Sequence, residues 1–95
     1  EQFGKERIRN TPICESIVLS MALGLAIRGY KSVVEMQFAD FVSSGFNAVV
    51  NNLAKSHYRW GQCADVVVRM PCGGGVGAGY AHGRVDHAAL LDRQG

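Results

Sequence analysis

Glu15 lies inside residues 10–30, NTPICESIVLSMALGLAIRGY, a stretch that is otherwise almost unbroken apolar sequence. A carboxyl group in dry surroundings needs a partner or a purpose. Two readings fit it. In one it is structural, held by an arginine or by backbone N–H groups at a helix N-terminus, where the dipole keeps it charged. In the other it is an acid or base tuned by its surroundings. Spacing alone leaves both open. A second candidate is His82, which follows the glycine-rich run Cys72 to Gly79. A histidine beyond a strand end suits proton donation, and Asp86 is four positions on, within pairing distance if a helix starts early. His57 and His87 sit in polar contexts without ligand spacing and read as surface or interface residues. Phe38 and Phe41 bracket Asp40, either as core or as a wall for a flat ring.

The glycine run invites a nucleotide reading. Gly73-Gly74-Gly75-Val76-Gly77-Ala78 satisfies the G-x-G-x-x-A form of the dinucleotide fingerprint and follows a strand pattern. However, Pro71 and Cys72 intervene and no helix follows directly. The Lys-Ser/Thr of a P-loop is absent as well. A loop that passes close to another group, or that needs positive φ, accounts better for these glycines.

These side chains need elements to position them. Thr11 as N-cap and Pro12 at the first helical position predict a helix start, with Gly29 as the stop and Arg28 in the last turn. Apolar residues on every face predict that this helix is buried. The run Val33 to Phe38 reads as a strand, with Glu35 at its edge or end. From Ala39 to Gly61, the spacing of Phe46, Val49, Val50, Leu53 and Ala54 predicts one amphipathic helix. Its end, Lys55 to Trp60, mixes cations and aromatics and suits a protein interface. Asp65 to Met70 is a second strand stopped by Pro71, and residues 84–92 form a last short helix. Strands alternating with helices predict an α/β fold, a parallel sheet between helix layers. Functional residues in such sheets lie beyond the carboxyl ends of strands. Those ends are Gln37 to Phe41 and Met70 to His82, and a regular topology brings Glu15 to the same edge.

Composition narrows the classes. A formal charge of +2 over 95 residues, with no lysine-arginine block, argues against nucleic acid. Three cysteines without a CxxC pair suit a reducing compartment better than a disulfide framework. Lys5, Arg7 and Arg9 ahead of the apolar run resemble a signal peptide, but Glu1, Glu6 and Glu15 are out of place in one. Residues 12–27 are too short for the roughly 20 apolar residues of a membrane span. The polar residues 1–10 lead into a buried helix and suggest a segment of a longer polypeptide.

Three motifs in order, Asn10-Thr11-Pro12-Ile13-Cys14-Glu15, Glu35-Met36-Gln37-Phe38-Ala39-Asp40-Phe41, and Val68-Arg69-Met70-Pro71 with Gly73-Gly74-Gly75 and His82, give the chain a family resemblance. It resembles the β-type subunit of thiamine-diphosphate-dependent 2-oxoacid dehydrogenases, the pyruvate and branched-chain enzymes of the transketolase-like group. The resemblance implies that residues 1–95 are one incomplete pyrimidine-binding domain, lacking an N-terminal strand-helix portion and the C-terminal domain. It implies that Glu15 contacts a pyrimidine ring nitrogen of the cofactor and promotes its imino form, a task suited to a carboxyl that shares a proton. Phe41 matches the aromatic stacked on that ring. Ile13 and Gln37 match residues lining the same pocket. His82 matches a histidine at the site mouth that takes part in acyl transfer to lipoamide.

The resemblance also implies what lies elsewhere. The family holds the cofactor's diphosphate and its Mg²⁺ through a GDG…N motif on an α-type subunit or fused domain, and this chain has no such motif. The metal therefore belongs to the partner, and the chain alone is expected to be inactive. The other implied partner is the lipoyl-bearing acyltransferase, and the implied location is the bacterial cytoplasm or the mitochondrial matrix. This chain departs from the family after His82, where Gly83-Arg84 replace Ser-Gln, and at Leu19-Ser20, where Val-Gly or Ile-Gly is common. Two alternatives remain open: another transketolase-like enzyme using the same glutamate, and a non-catalytic α/β interaction module with a decayed site.

Overall fold

A buried apolar strip on one helix, set against two short parallel strands, organises the chain. The computed structural model describes residues 2–72. After a single exposed turn, α1 (Gly4–Arg7), come α2 (Glu15–Ile27), β1 (Ser32–Glu35), a 3₁₀ turn (Ala39–Phe41), α3 (Val42–Asn47), a π-helical turn (Ala48–Leu53), α4 (Ser56–Trp60) and β2 (Val66–Arg69). The strands pair in parallel with Ser32 opposite Val66 and Glu35 opposite Arg69. The parallel α/β expectation is met.

The start of α2 differs from expectation. Thr11 and Pro12 lie ahead of the helix in irregular chain, and Cys14 occupies the N-cap with extended φ −156° and ψ 94° and no side-chain cap bond. Glu15 is thus the first helical residue, placing its carboxyl at the positive end of the helix dipole. The C-terminus follows the glycine rule. Gly29 takes φ +84°, its N–H donates to Ala26 O at 2.9 Å, and Tyr30 N–H donates to Leu25 O at 2.9 Å. That pair of bonds is a Schellman motif. Arg28 serves as C-cap rather than in the last turn.

The expectation of a fully buried α2 needs correction. Leu19, Ala22 and Ala26 are buried, but Ile17 is 54 % exposed and Met21 51 %. Neighbours among the described residues, namely α3, β1, β2 and the π-helical turn, cover one side only. Ile17, Met21 and Leu25 form an exposed apolar stripe at four-residue spacing on another side, with exposed Ile13 in the chain ahead of the helix. No helix of the described residues is long and apolar enough to cross a membrane.

The core joins Leu19 of α2 to Met36, Val42 and Ala48, with Val34, Val49, Leu53, Val68 and Met70 packed around them. Strand alternation explains the choice, because Val34 and Val68 share the covered face while Val33 and Val67 point the other way and are exposed. Two ion pairs flank the register, Lys31–Asp65 at 3.1 Å before the strands and Arg69–Glu35 at 2.9 Å at their ends.

The expected single helix from Ala39 to Gly61 is broken into pieces. Ala54 N–H reaches back five residues to Val49 O at 2.9 Å, the widened turn of a π-helix. The chain then re-enters a helix at Ser56, whose buried hydroxyl lies 3.1 Å from Leu53 O and 3.3 Å from Gln62 O. The hydroxyl's one proton is shared between a carbonyl at the helix break, Leu53 O, and one beyond the end of α4, Gln62 O. Gly61, at φ +64°, ends α4 as expected.

Candidate functional site

Two backbone bonds beyond the strand ends build the edge where the site residues gather. Met36 N–H donates to Arg69 O at 2.9 Å, and Ala39 N–H donates to Pro71 O at 3.1 Å. They tie the 3₁₀ turn carrying Phe41 to the carboxyl end of β2. The turn continues into α3, which packs across the first turn of α2. Gly45 permits that crossing. A Cβ at Gly45 would stand 2.5 Å from Leu19 Cδ1 and 3.3 Å from the backbone C and O of Glu15. Only a glycine lets the two helices approach so closely without displacement.

The crossing sets Ser44 against Glu15. Ser44 Oγ lies 2.9 Å from Glu15 Oε2 and 2.9 Å from Phe41 O. One hydroxyl therefore bridges the glutamate to the backbone of the aromatic expected beside it. Glu15 is half-buried, and its partner is neither the arginine nor the backbone N–H groups of the structural reading. Both ion pairs among the described residues involve other groups. The dry pocket expected around Glu15 is only half formed by the described residues.

Phe41 is half-buried and meets Phe38 edge to face, with centroids 5.9 Å apart and planes at 73°. Gln37 is exposed in the bend between β1 and the 3₁₀ turn, beside buried Met36. Ile13, at 91 % exposure, stands two residues ahead of Glu15. His82, the glycine loop and the short helix of residues 84–92 lie outside the described residues. Ser44 thus links Glu15 to the Phe41 backbone, while Ile13 and Gln37 lie on exposed chain.

Cys14 is a feature that motif reasoning passed over. Its thiol is 3.4 Å from Ser16 Oγ, and that contact, followed by the Ile17 backbone N–H, holds its pKa below the ordinary thiol value. Its place just ahead of the first helical turn was not legible in sequence, where Thr11 and Pro12 put the helix start three residues earlier. Ser44 was missed too. It is one of several serines with no motif around it, and its partner is 29 residues away.

Comparison with known proteins identifies the family. The family described as "Transketolase, pyrimidine binding domain" matches residues 1–93. The chain is 37 % identical over 99 aligned positions to the 2-oxoisovalerate dehydrogenase subunit beta of Bacillus subtilis, covering 100 % of this chain and 30 % of that protein. It is 44 % identical over 85 positions to the mitochondrial 2-oxoisovalerate dehydrogenase subunit beta of Chaetomium thermophilum, covering 84 % and 18 %. To the pyruvate dehydrogenase E1 component subunit beta of Staphylococcus aureus it is 40 % identical over 78 positions, covering 80 % and 24 %. The chain spans less than a third of the length of each of these relatives. With nearly its whole length matched, the chain belongs to the transketolase pyrimidine-binding domain family.

Proposed function

We propose that this chain is a fragment of the β subunit of a 2-oxoacid dehydrogenase, of pyruvate or branched-chain type, and that residues 1–95 form one incomplete pyrimidine-binding domain. In this reading Glu15 meets the pyrimidine side of thiamine diphosphate. The carrying observation is the Ser44 hydroxyl, 2.9 Å from both Glu15 Oε2 and Phe41 O. It ties the acid to the backbone of the turn that carries Phe41, beyond the carboxyl ends of parallel strands, where such folds bind ligands.

The residues present fit the group. Glu15 is half-buried, so its carboxyl is reachable, and it opens a helix whose dipole stabilises negative charge there. When bound, thiamine diphosphate supplies the nucleophilic carbon and the electron sink for decarboxylating a 2-oxoacid. Glu15 holds a proton at its carboxyl in contact with a ring nitrogen, Phe41 offers an aromatic surface to the ring, and Ile13 and Gln37 line the pocket. His82 serves acyl transfer to lipoamide. The diphosphate and its Mg²⁺ are held by an α-type subunit or fused domain, so the chain does not turn over by itself. A lipoyl-bearing acyltransferase receives the acyl group, in the bacterial cytoplasm or the mitochondrial matrix.

The test is co-expression with a candidate α-type partner, followed by a thiamine-diphosphate-dependent decarboxylation assay. Activity is expected with the wild-type chain and is lost in Glu15→Gln. Activity that survives Glu15→Gln overturns the reading. A second reading, a non-catalytic interaction module, is favoured by the exposed stripe of Ile17, Met21 and Leu25, with exposed Ile13 ahead of it. It predicts stable complex formation with no turnover in either variant.

A further inference from the structure

Ser44 has one hydroxyl proton and two acceptors within reach, Glu15 Oε2 and Phe41 O, each at 2.9 Å. A hydroxyl donates one bond and accepts up to two. While Glu15 is ionised, its carboxylate can only accept, so the exposed Ser44 hydroxyl shares its one proton between the carboxylate and the Phe41 carbonyl. Once Glu15 carries a proton, its O–H donates to Ser44 Oγ and the Ser44 proton goes wholly to Phe41 O. All three groups are then satisfied in one chain of bonds. The bond between Glu15 and Ser44 reverses direction with the proton on Glu15.

We propose that Ser44 is a positioning residue for Glu15, orienting its carboxyl and passing its protonation state to the backbone of the Phe41 turn. The proposal rests on the reading of Glu15 as the group that shares a proton with a pyrimidine nitrogen, and it adds the residue that aims that proton. Gly45 makes the contact possible, since α3 could not otherwise lie against the Glu15 turn. Few other charges intrude. Neither α3 nor the π-helical turn carries a titratable side chain. Glu35 and Arg69 on the strands pair with each other, Asp40 lies in the turn ahead of α3, and Cys14 precedes Glu15 in the chain.

The test does not need the cofactor. In the full chain labelled with ¹³C at glutamate side-chain carboxyls and phenylalanine carbonyls, the Phe41 carbonyl resonance is expected to follow the Glu15 carboxyl as pH is changed. Ser44→Ala breaks this coupling and Ser44→Thr, which keeps the hydroxyl, restores it. In Glu15→Gln the amide donates at every pH, so the Phe41 resonance loses its pH response. A Phe41 carbonyl that still tracks Glu15 in Ser44→Ala overturns the proposal, whatever Glu15 does in catalysis. In the reconstituted complex, Ser44→Ala is expected to lower kcat about tenfold with little change in KM, and Ser44→Thr to recover it. An unchanged kcat in Ser44→Ala also overturns the positioning role. Full activity in Glu15→Gln would instead sink the functional reading alone, because the coupling experiment is read independently of turnover.

Discussion

Gly45→Ala tests the helix crossing on which the site depends. The new methyl group would sit 2.5 Å from Leu19 Cδ1 and 3.3 Å from two backbone atoms of Glu15. Carbon atoms pack at about 3.5–4.0 Å, so the Leu19 methyl must give way and the Glu15 backbone must yield by about a few tenths of an ångström. Leu19 cannot swing out into solvent because it is 0 % exposed. Overpacking of this kind costs about 1–3 kcal/mol. Against it stands the helix propensity of alanine over glycine, worth about 1 kcal/mol in an exposed helix interior. With the Leu19 side chain enclosed, a net loss of up to about 2 kcal/mol is expected. Urea unfolding followed by circular dichroism measures it. Leu19→Ala supplies the control. Alone it should cost about 2–5 kcal/mol through the cavity it leaves. Combined with Gly45→Ala it removes the clashing methyl, so the double variant should cost less than the two separate losses together. If Gly45→Ala proves more stable than the wild type, or if the two effects simply add, the close crossing is not what holds α3 against Glu15.

Other residues give shorter tests. Gly29→Ala forces a side chain into φ +84° at the end of α2 and should cost about 1–2 kcal/mol in the same unfolding assay. Ser56→Ala strips a buried hydroxyl from the Leu53 and Gln62 carbonyls, with an expected loss of about 1–2 kcal/mol in that assay. Removing the exposed Arg69–Glu35 pair by Arg69→Gln should change stability by less than about 1 kcal/mol, and by less still in high salt. Cys14 should begin to react with iodoacetamide at lower pH than an ordinary thiol, because a lowered pKa yields thiolate earlier as pH rises; Ser16→Ala should move that onset upward, read by mass spectrometry of the alkylated peptide.

Much of the architecture is legible in local pattern. The β-branched runs around Val33 and Val67 announce strands, their separation by helical sequence announces parallel pairing, and Gly29 and Gly61 mark helix ends because positive φ there suits glycine. A carboxylate at the head of an apolar helix is equally visible. What periodicity misreads are the places where local preference yields to tertiary contact. Thr11 and Pro12 carry the chemistry of a helix start, but the chain stays irregular until Cys14, and α2 begins at Glu15. The apolar spacing from Phe46 to Ala54 describes one helix face, yet it gives no sign of the π-helical turn or of the break that Ser56 satisfies.

The sequence by itself determined the order of helix and strand, the parallel sheet and the presence of Glu15 at a helix start, since each is written in neighbouring residues. Tertiary structure alone decided what Glu15 touches. Its partner Ser44 is 29 residues away, and only the close approach at Gly45 brings them together. In sequence that glycine is just a poor helix former, because what matters about it is the space another helix requires. Exposure of α2 was likewise beyond local reading. Its apolar residues surround the axis, so which of them are covered depends on where α3, the π-helical turn and the strands lie, and they lie on one side.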